Sequence, residues 1–196
     1  MFTPDAPMRI LISACQLGQA CGTDATSYGA PGADVQRLMA MPNAALTGFC
    51  PEDMAFGTPR RVPDISGGDG FDVLDGRARV LSEDGEDRTQ GMVEAAHAML
   101  ALAQQHRVHL ALLTDISAAC GSQVVYLGPR RNGVHRAGVG VCAALLIRHG
   151  VPIMSQRDLR TFDRLLAHLD PHYRAPGERL DHHESPWFRA AFESGG

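Results

Sequence analysis

Short aliphatic runs alternate with amphipathic stretches along this chain. Residues 8–14 form one such run; it stops at Cys15, and a polar, glycine-containing stretch follows as far as Gly32. That pattern predicts a buried strand entering a loop. In 33–41 the apolar positions Val35, Leu38 and Met39 predict a helix of one to three turns capped by Asp34 and ended by Pro42-Asn43. A second aliphatic run, 44–49, stops at Cys50-Pro51. In 88–106, Met92, Val93, Ala96, Met99, Leu100 and Ala103 recur at helical spacing, and 108–113 reads as a third buried strand. The pattern continues with a short strand at 124–127, a helix at 139–149 closed by Gly150, and a fourth strand at 151–154. A last helix at 157–169 carries Leu159, Phe162, Leu165, Leu166 and Leu169 on one stripe.

Strands that alternate with helices bury both faces of a parallel sheet, so the fold class is α/β. We expect a single Rossmann-like three-layer α/β/α domain with a mostly parallel sheet over 1–169, followed by a C-terminal tail at 170–196. No internal repeat is visible. Residues 52–85 are rich in glycine, proline and aspartate, too long for an ordinary connection, and are expected to form a substrate-facing loop with a hairpin near 73–81.

Composition narrows the chemistry. The 196 residues carry a net charge of −4, without the basic footprint of a duplex-binding protein, so a nucleic acid polymer is not an expected partner. All 18 basic residues are arginine. Without lysine there is no Schiff base, no pyridoxal phosphate anchor, no P-loop lysine and no kinase strand lysine. Five cysteines, an odd number with no secretory leader ahead of them, do not suggest a disulfide framework. Ile12-Ser13-Ala14-Cys15 resembles a lipoprotein cleavage box. However, Pro4, Asp5, Pro7 and Arg9 leave only Ile10 to Ile12 uninterrupted, against the roughly 7 to 15 apolar residues such a leader needs. The apolar stretch at 137–147 is shorter than the roughly 20 residues that span a bilayer. The expectation is a soluble, cytoplasmic protein with no membrane partner; the sequence carries no signal for its oligomeric state.

Three cysteines occupy equivalent places. Cys15 follows the first strand, Cys50 the second, and Cys120 lies in the loop after the third. In an open parallel sheet the segments just beyond the carboxyl ends of the strands converge on one crevice, so three thiols can meet there. Small apolar strand ends also favour buried cysteine for packing alone. Thiolate sets select zinc, copper(I) or iron–sulfur clusters. Structural zinc wants a fourth ligand and closely paired cysteines, and a zinc deaminase needs His-x-Glu and Pro-Cys-x-x-Cys, neither of which is present. Three cysteines from distant loops suit a cubane cluster with one iron left open as a Lewis acid.

The chain resembles the TudS-type thiouracil desulfidase family. The resemblance is carried by Ser13-Ala14-Cys15-x-Leu17-Gly18-x-x-Cys21, Cys50-Pro51-Glu52, Thr58-Pro59-Arg60, Gly67-Gly68-Asp69-Gly70, Val73-Leu74-Asp75-Gly76 and Ser117-x-x-Cys120-Gly121-Ser122. In order and approximate spacing it runs from about residue 8 to 155, through Ala143-Ala144-Leu145-Leu146. It implies a 4Fe-4S cluster on Cys15, Cys50 and Cys120, and a non-redox desulfidase that takes sulfur from a thiopyrimidine base or nucleotide. It further implies that Glu52 works as acid/base on water and that Ser117 holds or polarises the reacting group. Ser13, Arg60, Asp69, Gly121 and Ser122 are the candidate substrate-binding residues. For Arg60 the alternatives are a substrate phosphate or a surface salt bridge; for Asp69, as for Asp75, substrate orientation or turn chemistry. The chain departs from the family at Ala118 and Ala119, where Pro-Ser is usual, at Thr114 and Ile116, where basic residues are usual, and at Gly22 and Thr23, where arginine and an aromatic are usual.

Two other functions stay open at this point. One is a nucleotide or small-molecule binding module that kept the scaffold without turnover. The other is a structural or regulatory cluster protein in which Cys21 supplies a fourth thiolate. Cys142, on the helix at 139–149, reads as core, and His182, His183 and Glu184 with His172 read as metal ligands or as a solvated tail.

Overall fold

A computed structural model describes residues 2–26 and 31–193. Its central sheet has four parallel strands, β1 (Met8–Ser13), β2 (Ala44–Phe49), β5 (Leu110–Leu113) and β8 (Ile153–Ser155), in the order β2-β1-β5-β8. β1 lies at the centre, with Ile10 opposite Leu46 on one side and Leu110 on the other. Side chains alternate across a strand, so Leu11, Ala111 and Leu113 point to one face and Ile10, Ile12 and Leu112 to the other. The first face is covered by α4 (Thr89–Gln105), through Met92, Ala96, Met99 and Ala103, and by α5 (Val141–Arg148). The second is covered by Val35 and Leu38 of α1 (Ala33–Met39) and by Phe162, Leu165, Leu166 and Leu169 of α6 (Leu159–Leu169). Full burial of the larger side chains, such as Met92, Leu38 and Phe162, stabilises the fold by about 2 kcal/mol each. The helical stripes and aliphatic runs read from the sequence are the surfaces that meet here.

Residues 52–85 differ from the expected loop. They hold α2 (Pro51–Phe56), β3 (Pro63–Ser66), α3 (Gly70–Leu74) and β4 (Arg79–Ser82). A hairpin-like pair is present, but it joins β3 to β4 antiparallel, with Ser66 opposite Arg79, and α3 fills the connection. Elements of four to six residues are too short to show a period. Two more short strands, β6 (Val124–Tyr126) and β7 (His135–Ala137), pair antiparallel. Asp34 does not cap α1: Gly32 occupies that position, and the Asp34 carboxylate instead pairs with Arg179 at 2.7 Å.

The residues after α6 pack back onto the domain. Asp181 accepts hydrogen bonds from the Thr161 backbone and hydroxyl, both at 2.8 Å, and His182 is buried. α7 (Pro186–Phe192) follows, capped by Ser185. His182 is thus neither in a solvated tail nor in a metal group; among the described residues no three His, Cys, Asp or Glu side chains form ligands for one metal ion. No helix among the described residues is long and apolar enough to cross a membrane. Part of the loop predicted after Cys15, residues 27–30, lies outside the described residues, as do 194–196.

Candidate active site

The strand ends deliver the three cysteines to one cavity of about 650 Å³. Cys15 sits in the single 3-10 turn, Ala14–Leu17, that continues β1. Its Sγ lies 3.1 Å from Thr114 Oγ1, at the end of β5. Cys50 ends β2 and is the N-cap of α2, its Sγ accepting from the Asp53 backbone N–H at 3.4 Å. Pro51 at the first helical position suits that start, since its missing N–H would have no partner there.

Cys120 lies in the loop after β5, and its backbone is held from two sides. Ser117 Oγ accepts from the Cys120 N–H at 3.1 Å, while α5 donates Val141 and Cys142 N–H groups to the Ala118 and Ala119 carbonyls, both at 2.9 Å. Gly140 makes that approach possible: a Cβ there would meet the Ala119 oxygen at 2.5 Å and the Ser117 oxygen at 2.8 Å. Asp115 collects the rest of the loop. Its Oδ1 accepts from the backbone N–H groups of Ile116, Ser122, Gln123 and Val124 at 2.9 to 3.1 Å.

Glu52 enters the cavity from the first turn of α2 and is nearly buried. Two donors fix its carboxylate: Ser117 Oγ reaches Oε1 at 3.3 Å, and Arg60 reaches Oε2 at 2.9 Å. Arg60 also donates to the Cys21 carbonyl at 2.9 Å, so its ion pair is buried against the site and is not a surface salt bridge. Ser13 lines the cavity and accepts from the Thr114 N–H at 3.0 Å.

Ser13, Cys15, Cys50, Glu52, Arg60, Ser117 and Cys120 therefore share one wall system. Asp69, Gly121 and Ser122 do not line it. Asp69 caps α3 in a reciprocal box with Asp72, Gly121 is pressed against the Ser117 and Val124 carbonyl oxygens, and the Ser122 backbone serves Asp115. Thr114, Asp115, Gln156 and Arg130 line the cavity without having been singled out from the sequence as site residues. Arg130 is turned away onto Asp64, at 3.0 Å.

All five cysteines are free, and four of them, Cys21 included, face the cavity. Burial pushes the Cys15 and Cys120 thiols above their ordinary value, and burial beside Cys50 pushes Cys21 up to about 12. Soft thiols are the donor set of an iron–sulfur cluster, and binding a metal would displace their protons. They line a cavity of about 650 Å³, large enough to hold a polynuclear cluster. The residues present fit the group.

Residues 10–158 match the family described as 2-thiouracil desulfurase. The chain belongs to this family. The desulfurase match ends at β8 and the turn after it, leaving α6 and everything beyond outside. This desulfurase-family chain is 35% identical over 154 residues to the uncharacterized protein YbbK of Bacillus subtilis strain 168, a match covering 76% of this chain and 97% of YbbK. A solved structure of a [4Fe-4S]-dependent thiouracil desulfidase, TudS, is 32% identical with a TM-score of 0.68, over 81% of this chain and 97% of that one.

Proposed function

We propose that this protein is a 4Fe-4S-dependent, non-redox desulfidase that converts a thiopyrimidine of the thiouracil or thiouridine type to its oxo form. The observation that carries this reading is the placement of Glu52. Its carboxylate is oriented by Ser117 and Arg60 within the cavity faced by four free cysteines, one of which, Cys50, lies two residues away. Membership of the 2-thiouracil desulfurase family and the likeness to TudS support it.

Cys15, Cys50 and Cys120 would hold the cluster. When bound, it would supply a soft Lewis acid for a thiocarbonyl sulfur. Glu52 takes a proton from water as the oxygen adds to the ring carbon, and returns it to the departing sulfur. Ser117 Oγ and Arg60 hold the carboxylate in one orientation throughout. One water is consumed, sulfide leaves, and no electrons change hands, so no nicotinamide or flavin is required. Free thiols suit a reducing compartment, which supports a cytoplasmic enzyme acting on a small molecule.

The test is an anaerobic preparation with iron and sulfide counts, followed by sulfide release from free base, nucleoside and monophosphate thiopyrimidines. A brown protein that releases sulfide is expected. A colourless one with less than about one iron per chain ends this reading, since each cluster carries four. A loaded protein that binds a thiopyrimidine and turns none over is a binding module instead.

A further inference from the structure

The segment beyond the family match reaches back into the site from behind. His182, 3% exposed, places Nδ1 2.7 Å from Asp115 Oδ2. A carboxylate offers only lone pairs, so Nδ1 carries the proton and donates. Asp115 is the residue whose other oxygen gathers four backbone N–H groups of the loop bearing Ser117 and Cys120. His182 is itself tied down: its backbone N–H donates to Asp158 Oδ1 at 3.1 Å, Trp187 stacks on its ring at 5.5 Å between centroids, and Asp181 is anchored on the start of α6.

The ring is not there for packing alone. Its Nε2 is buried with no hydrogen-bond partner among the described residues, a cost that a phenyl ring in the same space would not carry. The other two buried side-chain polar atoms without a partner among the described residues, Ser122 Oγ and Gln123 Oε1, belong to residues whose backbone N–H groups Asp115 also holds. What the imidazole contributes is the bond from Nδ1 to Asp115.

We propose that His182 is a positioning residue for the site: through Asp115 it fixes the loop that presents Ser117 and Cys120 to the cavity. That this loop presents a cluster ligand rests on the desulfidase reading; the locking of the loop does not. Residues after α6 are on this account a working part of the site, supplied by a segment the family match does not include.

The experiment compares backbone hydrogen exchange in the cluster-free parent, His182→Ala and His182→Gln. Glutamine keeps an N–H donor for Asp115. His182→Ala is expected to speed exchange of the Ile116, Ser122, Gln123 and Val124 amides by about tenfold or more, His182→Gln by no more than about threefold, and neither to change the α4 amides. Should His182→Ala not fold, His182→Phe keeps the bulk and drops the donor. Unchanged loop exchange overturns the proposal, as does an equal rise in α4 or a glutamine variant as fast as alanine. Failure of both donor-free variants to fold also overturns it, because the residue then serves the whole fold. In the reconstituted protein, iron should pass to a chelator faster from His182→Ala than from the parent. A parent that takes up no iron counts against the desulfidase reading while leaving the exchange result standing.

Discussion

At the scale of single residues, Glu52 separates chemistry from assembly. A thiolate set does not need it as a ligand, yet two side chains are spent on orienting it. Glu52→Gln is expected to keep cluster content equal to the parent while sulfide release falls by about 100-fold or more, the usual scale for a lost general acid/base. Sulfide release within about threefold of the parent at equal iron would move the proton chemistry to another group. Cys15→Ser, Cys50→Ser and Cys120→Ser should each lose the brown colour first and activity with it. The convergence of Cys15, Cys50 and Cys120 on one cavity was legible in the sequence because segments beyond the strand ends of a parallel sheet point one way, whereas Glu52 came from the resemblance at Cys50-Pro51-Glu52. Asp115 and His182 were legible in neither way. They stand 67 residues apart, and no spacing rule announces a carboxylate that serves four backbone groups and an imidazole at once.

Among the elements, α5 and α3 make opposite predictions. The first turn of α5 is bonded to the Cys120 loop, with Gly140 at the closest approach. Gly140→Ala should push that loop out of place, so iron per chain, measured after reconstitution, drops although Cys120 is intact. Asp69 belongs to the family-like motif Gly67-Gly68-Asp69-Gly70, but its carboxylate caps α3 by accepting from the Phe71 and Asp72 N–H groups. Asp69→Ala should therefore cost about 1 kcal/mol of stability, read by denaturant titration, and leave kcat per cluster unchanged. A large fall in kcat at full iron would return Asp69 to the substrate. The long strands and helices were readable from period alone, whereas α2, β3, α3 and β4 were hidden by their brevity and by glycines and prolines that serve caps and turns within them.

Over the whole molecule, the chain after α6 ties distant parts together electrostatically. Arg179 bridges Asp34 of α1 and Asp163 of α6, and Tyr173 also donates to Asp163. The hydrogen bonds from Arg179, then from Tyr173, hold the Asp163 carboxyl below its ordinary 3.8 despite some burial. A lowered native pKa means the unfolded chain binds its proton first. The contribution is thus full above the ordinary value and is lost as pH falls through 3.8 toward the depressed native value. Asp163→Asn should lower the melting temperature at pH 7, and the gap between variant and parent should narrow below about pH 4. A gap that stays constant down to acid unfolding would show that Asp163 contributes by shape alone.

The sheet order has a further consequence, for biosynthesis. β1 meets β2 early, but its other edge pairs with β5 across about one hundred residues, Ile10 with Leu110. A growing chain therefore exposes Cys15 and Cys50 long before Cys120 exists, and the amides of α5 and the imidazole of His182 emerge later still. Such distant pairing forms slowly, because the intervening chain must be closed before any contact rewards it. On the desulfidase reading, iron would be acquired by the finished chain and would not template the nascent one. Ribosome-bound fragments halted before residue 110 should capture no more iron than the same fragments with Cys15 and Cys50 replaced by serine, whereas released chains should load fully.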